Sequence, residues 1–305
     1  MAVPVATAAA MTIAGHRVSS EVVNAVQRAS SSTGVDFSYL MSQAAQESGF
    51  RTNARAGTSS ATGLFQFIDS TWLQMVRDHG AKYGLAQYAN AIQGAPGTAA
   101  RVSDRAVRQQ ILDLRYNADI SSAMAAEYAS NNKQHLERSL GRSVGAAELY
   151  MAHFLGAAGA TRFLSALSTT PNTAAADLMP DAAASNTNVF FDRSGRALSV
   201  RQVYDRMAQR IESRAAEVRN VTGTGSDQRV FQLFSARNGS ASPLRYVSTN
   251  APVIQQNAGN VGGGFFNNLR HLSPALAPET TIALAGLDAG ISSRVGTQRS
   301  RVRGI

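Results

Sequence analysis

One acidic residue stands where an acid is costly. Glu47 follows Leu40 by seven positions and Ala44 by three, a spacing that places it on the apolar stripe of the helix expected to start at Phe37. Burial disfavours the charged form of a carboxylate, and the C-terminal end of a helix adds negative potential that acts the same way. A general acid must hold a proton near neutral pH, so such a position suits acid–base work. The structural alternative is a glutamate that reaches solvent or pairs with Arg51 or Arg55.

The rest of the chain offers little competing chemistry. It has 305 residues and no Cys, which excludes disulfides, thiolate metal sites and a cysteine nucleophile. His16, His79, His135, His153 and His271 form neither H-E-x-x-H nor H-x-H, so no zinc site or other cofactor is expected. No apolar run reaches the roughly 18 residues of a membrane span. The apolar start of the chain has its first basic residue, Arg17, after the run rather than before it, so it is not read as a Sec signal.

The elements that must position Glu47 are helical. Ser19 and Ser20 precede Val22, Val23, Val26 and Ala29; Asp36 caps Phe37, Leu40, Met41 and Ala44; Asp69, Ser70 and Thr71 are cap candidates before Trp72, Leu73, Met75 and Val76. Further helices are expected at 103–115, 117–131, 145–155 and 159–167. Residues 188–191 read as a brief strand or extended segment. Ser199 with Gln202 makes a capping box before the stripe Val200, Val203, Tyr204, Met207 and Ile211. That helix should dock on the main domain or on a partner, because a lone amphipathic helix is marginal in water. The expected organisation is all-α: a flexible arm over 1–18, a helical domain over 19–170, an extension with one amphipathic helix over 171–219, and a low-complexity, disordered tail over 220–305.

The motifs around Glu47 are specific. The chain reads Gln46-Glu47-Ser48-Gly49-Phe50, then Asn53-Ala54, then Gly63-Leu64-Phe65-Gln66-Phe67, then Thr71-Trp72. This resembles the soluble lytic transglycosylase (SLT) and goose-type lysozyme family, glycoside hydrolase family 23, whose signature runs E-S-x-F, N-x-x-A, G-L-M-Q-[IF] and T-W. The resemblance continues from Leu112 to Tyr128 and from Ala147 to Leu164, and it covers roughly 19–170.

It implies a lysozyme-like peptidoglycan lytic transglycosylase in which Glu47 is the single acid/base. Glu47 would protonate the oxygen between N-acetylmuramic acid (MurNAc) and N-acetylglucosamine (GlcNAc). It would then assist attack by the muramyl C6 hydroxyl, closing a 1,6-anhydro ring. Ser48 would orient the glycan or Glu47, and Gln66 would bind substrate. Phe65 and Phe67 suit core and sugar platform equally, and Trp72 suits the core. Where the family has A-Y-N-A-G, this chain has Ala152-His153-Phe154-Leu155-Gly156. Tyr150 lies one turn before His153, and the pair would together hold Glu47 and substrate.

The alternatives are hydrolysis of the same bond by a goose-type muramidase, and a non-catalytic wall-binding assembly factor. Under the second, the C-terminal tail would meet a flagellar, secretion-system or phage-tail partner. Peptidoglycan strands are the expected partner, at the periplasm or cell envelope. The formal charge is +9, of which residues 1–170 carry +3 and residues 171–305 carry +6. Without a helix-turn-helix or an aromatic platform, the basic end is not read as a nucleic-acid site.

Overall fold

A computed structural model describes residues 11–223, apart from 14, 58 and 97. The tail expected over 220–305 therefore lies outside the described residues from 224 onward, as do the first ten residues of the arm.

The chain begins with a two-stranded antiparallel hairpin, β1 (Met11–Ile13) and β2 (His16–Val18), with Met11 opposite Val18 and Ile13 opposite His16. This corrects the expectation of a flexible arm through residue 18. Met11 and Ile13 alternate onto one face, and with Val18 they are buried against the helices.

Helix α1 (Ser20–Thr33) starts where Ser19 accepts from the Val22 amide and stops at Gly34, whose φ of 72° is left-handed. α2 (Phe37–Ser48) is capped by Asp36, which accepts from the Tyr39 amide at 2.8 Å, and it closes on Gly49. Most of α2 is buried, polar positions included, as expected of a helix enclosed by others.

α3 (Asp69–His79) has no side-chain cap. Asp69 is instead its first helical residue, where an acid favours the helix dipole, and its carboxylate meets Arg115 at 2.9 Å and Arg108 at 2.7 Å. A 3₁₀ turn (Gly80–Tyr83), α4 (Ala86–Ala91) and α5 (Arg105–Asp113) lead through a second 3₁₀ turn (Leu114–Tyr116) to α6 (Ala118–Leu140). Trp72 is fully buried on α3 and donates its indole N–H to the Ile111 carbonyl at 2.7 Å.

α7 (Ala146–Thr169) joins two helical stretches across Gly156, whose φ of 72° and ψ of 160° break the ladder. The two helices expected at 145–155 and 159–167 are therefore the halves of one kinked element. α8 (Ala175–Leu178), α9 (Pro180–Ser185) and α10 (Thr187–Phe190) are short. The extended reading of 188–191 is corrected here: Phe190 lies in a helical turn, fully buried and stacked on Phe154 with ring centroids 6.3 Å apart. Phe191 alone bridges, to Ala197.

α11 (Val200–Gly223) opens on the expected box: the Ser199 amide donates to Gln202 at 2.9 Å, and the Gln202 amide donates to the Ser199 hydroxyl at 3.2 Å. Its stripe is buried at Val200, Val203, Met207, Ile211, Ala215 and Val218 against α2, α7 and β1. Burial of each larger side chain contributes about 1.5–3 kcal/mol. The extension thus completes the core around α2. No described helix is long and apolar enough to cross a membrane.

Candidate active site

The last turns of α2 carry Gln43, Gln46, Glu47 and Ser48, and the first half of α7 brings Tyr150 and His153 against them. The Glu47 side chain is only 5% exposed, and its Oε1 lies 3.1 Å from His153 Nε2. The other ring nitrogen of His153, Nδ1, lies 2.9 Å from Gln43 Nε2. Gln46 donates its amide to the Tyr150 hydroxyl. The Tyr150 and His153 rings stack, with centroids 6.1 Å apart and planes 22° from parallel. Glu47 Oε2, Gln43 Oε1 and Gln46 Oε1 are buried and have no hydrogen-bond partner among the described residues.

Tyr150 is fully enclosed. Burial first, and the neighbouring Glu47 charge second, push its phenol far above the ordinary tyrosine range, so it stays a neutral hydroxyl. It accepts from Gln46 and stacks on the His153 ring. His153 alone of the pair touches the carboxylate.

The loop 60–68 forms the facing wall. Gly63 has a φ of 84°, and a Cβ there would stand 2.2 Å from the Arg115 carbonyl oxygen, so only glycine fits. Arg115 is buried and donates to the carbonyls of Ser60 at 2.9 Å, Phe67 at 3.0 Å and Leu112 at 2.9 Å, as well as to Asp69. The Ser48 hydroxyl donates to the Leu64 carbonyl at 2.8 Å and is buried. Ser48 therefore ties α2 to the loop and does not open toward a ligand.

Gln66 adopts a left-handed φ of 48°, an uncommon conformation for a residue with a side chain. Its amide nitrogen donates to Gly63 O at 2.8 Å and Ala54 O at 3.3 Å. With its donor end committed to the loop, Gln66 has its carbonyl oxygen to offer a ligand. Phe65 and Phe67 are both buried, and Phe67 packs edge-on against Trp72 at 5.3 Å.

Between loop and helices lies a cleft lined by Gln43, His153, Gln66, Phe65, Phe67 and Tyr128 among others. Glu47 is not among its lining residues and meets it through the hydrogen bond to His153. No carboxylate is among the described residues that line the cleft. Among the described residues there is also no group of three or more His, Asp or Glu side chains able to hold a metal ion.

The structure thus places His153 and Gln66 in the cleft lining, joins Glu47 and Tyr150 to it through His153, and turns Ser48 to the Leu64 carbonyl. Two contributors escaped sequence reading. Gln43 is the residue one turn before Glu47, and a glutamine on an apolar stripe was the available signal. Arg115, which staples the loop from 48 to 55 residues away, leaves no local signature.

A helical domain that buries one carboxylate beside a largely apolar cleft has the equipment of an acid–base enzyme. Residues 24–152 match the family model of the transglycosylase SLT domain. At the level of the family, this means lytic-transglycosylase-type degradation of peptidoglycan. The matched span runs from α1 to Ala152. It contains Glu47, Ser48, Gln66 and Tyr150 and stops one residue before His153.

Proposed function

We propose that this SLT domain cleaves the β-1,4 bond between MurNAc and GlcNAc as a lytic transglycosylase, with Glu47 as its single acid/base. The observation that carries the reading is the Glu47 carboxylate itself: buried, held at one oxygen by His153, and bare at the other. As the acid, Glu47 delivers its proton to the glycosidic oxygen, and the bond electrons leave with that oxygen. As the carboxylate, it takes the proton of the muramyl C6 hydroxyl while that oxygen closes on the anomeric carbon.

The proposed route needs one carboxylate, Glu47, which is held by His153. Two-carboxylate glycosidases place a second acid across the bond as base or nucleophile. Here the substrate's own hydroxyl fills that role, and its high effective molarity replaces a protein group. His153 holds Glu47, Gln66 accepts a hydrogen bond from sugar through its carbonyl oxygen, and Tyr150 braces the His153 ring. Ser48 acts on substrate indirectly, through Leu64 and the loop that carries Gln66.

The catalytic unit is proposed to be the helical body from residue 19 to 170, with α11 of the extension as its brace. The substrate places the work at the periplasm or cell envelope. Mass spectrometry of muropeptides released from purified walls tests the reaction. Anhydro products, one water lighter than hydrolysed ones, are expected; only reducing ends would mean that water is the nucleophile.

A further inference from the structure

We propose that Gln43 is a positioning residue that decides which oxygen of Glu47 carries the transferable proton. The inference rests on the assignment of Glu47 as the acid. It follows from a chain of three side chains on α2 and α7. Gln43 Nε2 lies 2.9 Å from His153 Nδ1, and His153 Nε2 lies 3.1 Å from Glu47 Oε1.

In the register with Gln43 Nε2 facing the ring, the amide nitrogen donates, and His153 Nδ1 accepts and carries no hydrogen. The ring proton then sits on Nε2 and points at Glu47 Oε1. Oε1 is thereby an acceptor in either ionisation state of Glu47. When Glu47 is the neutral acid, its proton has one place left, Oε2, the oxygen without a protein partner. One register therefore serves both half-reactions. The proton leaves from Oε2 to the glycosidic oxygen, Oε1 keeps the His153 N–H as negative charge develops, and the C6 hydroxyl proton returns to Oε2.

The opposite register disarms the acid. With Gln43 Oε1 turned toward His153, Nδ1 would carry the proton and bare Nε2 would draw the acid proton onto Glu47 Oε1, away from the substrate. The amide of Gln43 thus selects the tautomer, as a buried carboxylate does for histidine in serine proteases. His153 lines the cleft with Gln43, so the register is set at the substrate's own wall.

The test is the ¹⁵N spectrum of His153 in the full-length chain labelled at histidine, with rates on soluble glycan oligomers. Wild type is expected to show a protonated Nε2 and an unprotonated Nδ1. Gln43→Glu offers only acceptors, so the proton should move to Nδ1 and kcat fall by about 10- to 100-fold. KM should change much less, because Gln43 donates to His153 rather than to sugar. Gln43→Met removes the donor without adding charge and should lower kcat with a mixed tautomer. A wild-type His153 protonated at Nδ1 alone overturns the proposal, whether or not either variant folds. A reversed tautomer with unchanged kcat overturns it as well. The products of wild type and Glu47→Gln judge the acid assignment separately, since neither depends on the His153 tautomer.

Discussion

Glu47 Oε2 is buried with no hydrogen-bond partner among the described residues, and such a bare buried acceptor costs about 1–3 kcal/mol. A site that spends this on a carboxylate gains a proton acceptor that no neighbour competes for. Among the described residues, His153 is the side chain that hydrogen-bonds Glu47, so His153→Phe should lower kcat by on the order of 10- to 100-fold. His153→Gln, which can still donate, should recover part of it, read as the initial rate of muropeptide release. In the loop that walls the cleft, Gly63→Ala forces a Cβ against the Arg115 carbonyl at a left-handed φ. It should destabilise the fold by about 1–3 kcal/mol in denaturant unfolding.

Glu127 gives the pH dependence a sign. Burial alone would raise its pKa, but hydrogen bonds from Lys82 and Tyr83, with the charges of His79 and Lys82, outweigh burial and hold it below the ordinary value of 4.5. A folded-state pKa below the unfolded one adds stability that is present above about pH 4.5 and lost as pH falls through the folded value. Wild type should therefore lose more stability than Glu127→Gln on going from pH 6 to about pH 3.5, read as the urea midpoint. Glu47 was legible in the sequence because an acid on an apolar stripe breaks a local rule. Its partners were less so. His153 was visible as a departure from a motif, whereas Gln43 gains its meaning only when α7 folds back across α2.

At the scale of elements, the helix that matters beyond the SLT span is α11. Its buried stripe covers α2 and α7, the two helices that carry Glu47 and His153, and Arg219 donates to Ser38 near the start of α2 at 3.1 Å. Ile211 is fully enclosed in that seam, so Ile211→Ala should cost about 2–5 kcal/mol, measured by thermal or denaturant unfolding. Activity should fall only in step with the folded fraction. The stripe and capping box of α11 were readable because period 3.6 and the Ser199–Gln202 pair are local signals. The hairpin was not, since three residues per strand leave almost no period to read. Asp69 was read as a cap because helix starts favour aspartate, but Arg115 and Arg108 draw it one position inward.

At the scale of the molecule, the charge is uneven. Residues 224–305 hold eight Arg against three Asp and Glu, while the helical body is close to neutral. Removing 224–305 should weaken binding to anionic wall polymer by several-fold at low ionic strength, with the difference closing as salt is raised. Wall pull-down across a salt series checks this. The all-α architecture was legible from periodicity and caps together. The assembly of α2, α7 and the loop around one cleft was not, because the fastenings that make it, from Ser48 to Leu64 and from Arg115 to Ser60 and Phe67, link positions far apart in the chain.

The claim on which the rest depends is that Glu47 alone performs the proton transfers. Muropeptide mass spectrometry of walls treated with wild type and with Glu47→Gln tests it most directly. The account predicts 1,6-anhydro products from wild type and a loss of at least about 100-fold in the variant, with its fold intact by circular dichroism. Lysis by Glu47→Gln at the wild-type rate would contradict it.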